Sequence, residues 1–238
     1  MVNFNVYIGY DQREDIAAKV CQYSIASRTD QLCPPKIELL RSENIPEYVR
    51  PREENQSTDF TYTRFMIPFL EGYGKTFSVF CDCDFLFQSD VIDLILSVDK
   101  TKAISVVKHP PYVPHTQTKM DGVAQHTMQR KNWASLIVFN NNHPSNRRLT
   151  PDYVNQVTPG RRLHMFDWLE DDEIGSIPLD WNVLDQYYLL MQPRAIHYTD
   201  GGPWFKNYQK TMYSHLWWKE YYDFTNTTKQ LRSLSPNP

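Results

Sequence analysis

Residues 77–87 read FSVFCDCDFLF, and this stretch decides the fold class of the chain. Apart from Asp82 and Asp84 it is apolar almost throughout, which is typical of a strand buried on both faces of a sheet. Side chains two positions apart on an extended chain point the same way, so we expect both carboxylates on one side of the strand. Ionised carboxylates at the edge of an apolar sheet are costly unless a cation neutralises them. The pair therefore predicts a divalent-cation site, although Asp-x-Asp alone fits a capping residue beside a solvent-facing one equally well.

The segments around this stretch alternate between strands and helices. We predict further strands over 5–10, 36–40, 103–107, 135–139 and 194–198. We predict helices that start at the cap 11–14 and that cover 65–70 and 91–98. Such alternation indicates an α/β fold with a mixed, mainly parallel sheet flanked by helices. The expected organisation is a single domain over 1–225 and a loose tail over 226–238.

Composition narrows the classes of partner. The 238 residues include 25 basic and 28 acidic side chains and carry a net charge of −3, too balanced to indicate binding to nucleic acid or anionic lipid. We find no apolar run long enough for a membrane span, no signal peptide and no zinc-site cysteine spacing, so we expect reduced thiols and a cytoplasmic location. The aromatic content of 14% exceeds what a core needs, and sugar and base faces stack on such rings.

Several motifs, taken in order, carry a resemblance to a known family. They are FTYTRFMIP at 60–68 before the strand at 77–87, YIGYD at 7–11, KNWASLIVFN at 131–140, WLEDDEIG at 168–175 and HYTDGGPWF at 197–205. Together they resemble glycosyltransferase family 8 and related microbial and viral enzymes with the Rossmann-like GT-A fold. The resemblance implies a metal-dependent transferase that moves a hexose from a nucleotide diphosphate sugar, UDP-glucose or UDP-galactose, to a hydroxyl of a glycan, protein or small-molecule acceptor.

The resemblance also implies a metal site. Asp82, Asp84 and His197 match the family residues that hold Mn²⁺ or Mg²⁺ on the donor diphosphate. Oxygen ligands with one imidazole suit Mn²⁺. The ion would neutralise the charge that develops on the departing nucleoside diphosphate. Considered alone, His197 would more often be an ordinary histidine that ends a strand.

Further residues match positions that surround the donor. Tyr10 and Asp11 fall where base and ribose dock at the carboxyl edge of the sheet, Tyr10 as a ring that stacks on uracil. Asp11 also fits a helix N-cap. Arg64 matches an arginine that contacts the donor sugar or orders the Asp-x-Asp loop, as against an exposed helical arginine. The remaining donor-binding candidates are Cys83, Asn132, Ser135, Gly201, Gly202 and Lys206.

The chain departs from the family pattern at two places. Asp171 and Asp172 stand where the family has an Asp-Gln pair beside the anomeric carbon, and are the catalytic candidates together with Arg64. A carboxylate at the glutamine position could act as a general base or stabilise a cationic sugar, so the stereochemistry stays open. The family's phosphate-binding lysine is missing before Pro203, where Lys206 or the glycine amides could replace it.

Two other functions stay open. A metal-dependent nucleotidyl or phosphoryl transferase would need a basic Gly-rich loop near the first strand, and we find none. A non-catalytic carbohydrate-binding module would explain the missing lysine but not the retained metal residues. His109, His115 and His126 are interpreted as loop residues, with a place near the acceptor as the alternative, and the aromatic C-terminal region as a helix that packs on the sheet.

Overall fold

The computed structural model describes residues 4–30, 32, 34–54, 56–74, 76–111, 129–190 and 192–234. Its strands are β1 Phe4–Gly9, β2 Lys36–Leu40, β3 Phe77–Cys81, β4 Phe85–Phe87, β5 Ile104–Val106, β6 Leu136–Asn140, β7 Ile174–Ser176, β8 Val183–Leu184 and β9 Ala195–His197. Its α-helices are α1 Asp15–Ala26, α2 Ile67–Leu70, α3 Val91–Ser97, α4 Pro151–Gln156, α5 Arg161–His164 and α6 Ser214–Leu234. None of these helices combines the length and the apolar character needed to cross a membrane.

The strands form a large sheet and a small one. The large sheet has six strands in the order β2-β1-β3-β6-β5-β7, and β6 alone runs against its neighbours. The small sheet has the order β4-β9-β8. The predicted α/β class with a mixed, mainly parallel sheet is therefore confirmed.

The predicted strand over 77–87 is wrong in one respect, because it is two strands. β3 lies between β1 and β6 in the large sheet, whereas β4 pairs antiparallel with β9 in the small one. Between them the chain turns at residues 82–84, where the amide of Asp82 still donates to the Ser135 carbonyl over 2.9 Å. The turn places both carboxylates outside the hydrogen-bonded strands, because burial of an ionised group among apolar strands costs free energy. A turn, and not the alternation of one strand, therefore brings the aspartates together.

The first and last α-helices lie against each other. A 3₁₀ turn, Gln12–Glu14, precedes α1. At the other end α6 continues to Leu234, past position 225 where we placed the end of the domain. α1 contacts the middle of α6: the rings of Tyr23 and Phe224 lie 5.7 Å apart, and the Tyr23 hydroxyl is 3.3 Å from that of Thr227.

The core surrounds the middle of the large sheet, where β1, β3, β5 and β6 are buried almost throughout. The end of β1 requires a glycine, because a Cβ on Gly9 would lie 2.4 Å from the Phe60 ring. A second apolar cluster joins the small sheet to α6 through Leu86, Ile196, Tyr198 and Trp217. The carboxyl ends of β3 and β9 thereby open onto one edge, where the Asp-x-Asp turn lies.

Candidate active site

Asp82, Asp84 and His197 come together at this edge. The aspartates occupy the turn between β3 and β4, and His197 ends β9 opposite Phe85 in the antiparallel β4–β9 pair. One ligand atom from each residue lies within 4.8 Å of the other two. Atoms bound to a single ion at about 2.0 to 2.6 Å lie within roughly 4 to 5 Å of one another. Two carboxylates and one imidazole at this spacing fit a divalent cation.

His197 is held from three sides. Its ring stacks on Phe85 with the centroids 4.5 Å apart, and its Nε2 lies 3.4 Å from Asp84 Oδ1. Its Nδ1 lies 3.0 Å from Oδ1 of Asn182, a residue that we did not single out in the sequence. A polar residue between two apolar ones, Trp181 and Val183, at the start of a strand was the available signal.

Asn182 extends this contact to two predicted donor-site residues. Its Nδ2 donates to Ser135 Oγ over 3.0 Å and lies 3.4 Å from the Asn132 carbonyl. The Ser135 hydroxyl in turn donates to that carbonyl over 2.7 Å. Asn132 has a left-handed backbone with φ 62°, and its side-chain oxygen accepts from Thr199 over 3.4 Å. Asn132 and Ser135 thus lie beside the metal candidates.

Arg64 is buried and is not an exposed helical arginine. Its Nη1 lies 2.8 Å from Asp82 Oδ1, and its Nε donates to the Thr61 carbonyl over 3.1 Å. The guanidinium also covers the Phe80 ring at 4.6 Å. Burial lowers the pKa of Arg64, and the negative charges of Asp82 and Asp84 oppose that shift. These contacts suit an arginine that orders the Asp-x-Asp turn.

Tyr10 and Asp11 lie at the carboxyl end of β1, and their side chains have partners within the protein. The Arg41 guanidinium covers the Tyr10 ring at 3.4 Å. Asp11 caps the following 3₁₀ turn, accepts from Arg13 Nη2 over 2.7 Å and accepts from the Asp59 amide over 3.2 Å. Burial raises the pKa of Asp11, but these hydrogen bonds outweigh it and hold the pKa below its usual value. Binding of the base by this pair stays a prediction.

The structure does not bring Asp171 and Asp172 to the aspartate–histidine group. They form a 3₁₀ turn at the amino end of β7, whereas Asp82 follows the carboxyl end of β3. Since β3, β5 and β7 run in one direction, these are opposite ends of the strands. Both side chains are exposed, and Asp171 pairs with Arg130. The structure therefore does not support a place beside the anomeric carbon for either aspartate if the donor diphosphate binds at the metal group.

The other donor-site candidates lie in the Asp-x-Asp turn and in the chain that follows β9. Cys83 is 1% exposed, and burial raises the pKa of its thiol, so only its backbone can face a ligand. Gly201 has φ +128° in the loop after β9, and Gly202 follows it. Lys206 is exposed at the start of a 3₁₀ turn.

Two buried groups next to the site were not assigned to it from the sequence. His109 follows β5, stacks on Tyr188 at 5.9 Å and is 4% exposed. Burial, with help from His197, lowers the pKa of His109 to about 3, although Asn182 opposes the shift. Asp185 follows β8, and its amide donates to the His197 carbonyl over 2.9 Å. The sequence signal for Asp185 was that Asp185 and Gln186 form an Asp-Gln pair, the pair that the family has beside the anomeric carbon. His115 and His126 lie outside the described residues.

Comparisons with known proteins agree with this architecture. No protein-family model matches the chain. Solved structures with a similar fold include the bifunctional glycosyltransferase WbbM (TM-score 0.67, 16% identity, 92% of this chain and 50% of that one). They also include the glycosyltransferase GlyE of Streptococcus pneumoniae TIGR4 (TM-score 0.61, 15% identity, 99% of this chain and 66% of that one). A third is the galactosyltransferase LgtC, solved with donor and acceptor sugar analogs (TM-score 0.58, 11% identity, 98% of this chain and 97% of that one).

These likenesses show the GT-A fold. The present chain spans only half of the WbbM chain and 66% of the GlyE chain. A relative at higher identity is Protein CDI of Arabidopsis thaliana, 40% identical over 236 residues, which cover 95% of this chain and 89% of that protein. The chain therefore belongs to the family of Protein CDI and has the GT-A glycosyltransferase fold.

Proposed function

We propose that this protein is a metal-dependent glycosyltransferase that moves a hexose from a nucleotide diphosphate sugar to an acceptor hydroxyl. The observation that carries the proposal is the group of Asp82, Asp84 and His197 at the carboxyl edge of a GT-A sheet. UDP-glucose or UDP-galactose is the proposed donor, and a glycan, a protein or a small molecule is the acceptor. LgtC, a galactosyltransferase solved with donor and acceptor sugar analogs, has the same fold and supports the choice of class.

Each residue has a physical task in this proposal. Asp82, Asp84 and His197 would hold Mn²⁺ or Mg²⁺, which when bound supplies Lewis-acid stabilisation of the leaving diphosphate. Arg64 pairs with Asp82 and so holds the turn in place. The Gly202 amide and Lys206 are the proposed hydrogen-bond donors to the phosphate oxygens, because the Gly201 amide already donates to the Tyr198 carbonyl over 2.9 Å.

The two alternatives have less support. A nucleotidyl or phosphoryl transferase needs a basic, glycine-rich loop after the first strand. In the described residues 10–14 the sequence is YDQRE, and the one basic side chain there, Arg13, pairs with Asp11. A carbohydrate-binding module is less well supported because it has no leaving group for a cation at Asp82, Asp84 and His197 to stabilise.

The test combines calorimetry with a transfer assay. We expect UDP to bind much more tightly with Mn²⁺ than without, and a panel of UDP-sugars to identify one that is hydrolysed or transferred. Asp84→Asn and His197→Ala should each weaken Mn²⁺ and UDP binding at least tenfold, because each removes a ligand. Asp99→Asn is the control. This exposed carboxylate lies in a turn before the amino end of β5, whereas the metal group lies at the carboxyl edge of the sheet.

Equal UDP affinity with and without Mn²⁺ would contradict the proposal. Sugar binding with no release of UDP from any donor would favour the binding module instead.

A further inference from the structure

The orientation of the Asn182 amide is determined by its neighbours. The Ser135 hydroxyl uses its hydrogen on the Asn132 carbonyl, 2.7 Å away, and therefore turns a lone pair toward Asn182. The Asn132 carbonyl, 3.4 Å from Asn182, can only accept. Both neighbours require a donor, so the amide nitrogen must face them. The amide oxygen then faces His197.

This orientation decides where the His197 ring carries its proton. The Asn182 oxygen lies 3.0 Å from Nδ1 and can only accept, so Nδ1 must be protonated. In a neutral ring the lone pair then lies on Nε2, the nitrogen that is 3.4 Å from Asp84. Stacking on Phe85 holds the ring plane, but an apolar face cannot distinguish the two nitrogens.

Burial prevents water from replacing this contact. Asn182 is 0% exposed and His197 1% exposed. Without its acceptor, a buried Nδ1–H would lose a hydrogen bond that solvent cannot restore. A flip of the ring or a change of tautomer would then be the alternative, and either would impair Nε2 as a ligand.

We propose that Asn182 is a positioning residue that sets the Nδ1–H tautomer of His197 and so presents the Nε2 lone pair to the cation. The inference rests on the proposed function only in that a cation binds at Asp82, Asp84 and His197. Outer hydrogen-bond partners of metal-binding histidines typically contribute 10- to 100-fold in metal affinity. We expect a loss of that size when Asn182 is replaced.

The experiment reads the tautomer directly, in the metal-free protein. Long-range ¹H–¹⁵N spectra at about pH 8, where a free imidazole is neutral, distinguish Nδ1–H from Nε2–H rings. The His197→Gln variant assigns the resonances. Asn182→Ala removes the acceptor, and Asn182→Asp retains one. Asn141→Ala is the matched control, because Asn141 is also 0% exposed but donates to Ser78 Oγ at the far end of β3.

We expect the Nδ1–H form in the wild type, in Asn182→Asp and in Asn141→Ala, and its loss in Asn182→Ala together with a 10- to 100-fold weaker affinity for Mn²⁺. An Nε2–H ring in the wild type would overturn the proposal, even if Asn182→Ala does not fold. Unchanged tautomer and Mn²⁺ affinity in Asn182→Ala would overturn it as well. If the wild type shows the Nδ1–H form yet binds no Mn²⁺, the metal-dependent function fails while the role of Asn182 in setting the tautomer stands.

Discussion

Arg64 shows how one residue prepares the site. Its side chain is 5% exposed and its partner Asp82 19%, so the pair lies largely out of water. Loss of one partner from a buried pair costs about 3 to 5 kcal/mol, because the other charge stays buried. We predict that Arg64→Met destabilises the protein by an amount near the lower end of that range, since Asp82 keeps some solvent contact. A bound cation would neutralise Asp82 again, so Mn²⁺ should restore part of the loss in urea unfolding.

Arg50→Met is the matched control at this scale. Arg50 is also buried, pairs with Glu53 and donates to the Val154 carbonyl over 2.8 Å, away from the Asp-x-Asp turn. The Arg50→Met variant should be less stable than the wild type, and Mn²⁺ should not restore its free energy of unfolding. If Mn²⁺ stabilises both variants equally, Arg64 does not act through Asp82.

At the scale of an element, the loop after β9 connects the metal group to Lys206. Its conformation depends on Gly201, where φ is +128° and a Cβ would lie 3.0 Å from the Tyr208 ring. We predict that Gly201→Ala costs about 1 to 3 kcal/mol in backbone strain and weakens UDP binding in Mn²⁺ several-fold, because the loop must shift. Thermal unfolding and calorimetry measure the two effects.

A second glycine with positive φ, Gly72, serves as a control that distinguishes the effect of backbone strain on stability from an effect on UDP binding. Gly72 has φ +60° and nothing within 4 Å of the position of its Cβ. Gly72→Ala should lower stability by about 1 to 2 kcal/mol and leave UDP affinity unchanged. Equal UDP affinity in the Gly201 and Gly72 variants would remove the β9 loop from the donor site.

For the whole molecule, buried histidines predict how stability depends on pH. Burial lowers the pKa of both His109 and His164 to about 3, and Arg64 adds to the shift of His164. In the unfolded chain a histidine takes up its proton near pH 6.5. Between that pH and about 3 the unfolded state therefore binds more protons, and stability falls as the pH falls; above about pH 7 these groups contribute no slope.

We predict that His164→Phe flattens this dependence by up to about 1.4 kcal/mol per pH unit below pH 6. Phenylalanine retains the edge contact with Phe65, whose ring centroid lies 5.3 Å away. Urea unfolding at pH 7, 6 and 5 measures the slope. His215→Gln, a change at an exposed histidine, should leave it unchanged. A slope that is the same in wild type and His164→Phe would show that His164 is protonated in the folded protein.

Apart from His197, which only the family resemblance indicated, the sequence by itself determined the α/β class, most strands of the large sheet and the candidate cation ligands Asp82 and Asp84. These follow from local regularities: apolar runs mark buried strands, and paired carboxylates mark a place where charge needs a partner. The second strand Lys36–Leu40 was predicted with its observed bounds.

Tertiary structure alone decided how these parts meet. The break between β3 and β4 arises because the two halves pair with different strands. His197 reaches Asp84 because β9 lies against β4, and Asn182 reaches His197 because β8 lies against β9. Asp171 is exposed and distant from the metal group because it precedes the amino end of β7, whereas the metal group lies at the carboxyl ends of the parallel strands. Such facts rest on the register between strands distant in sequence, which hydrophobic periodicity within one segment cannot encode.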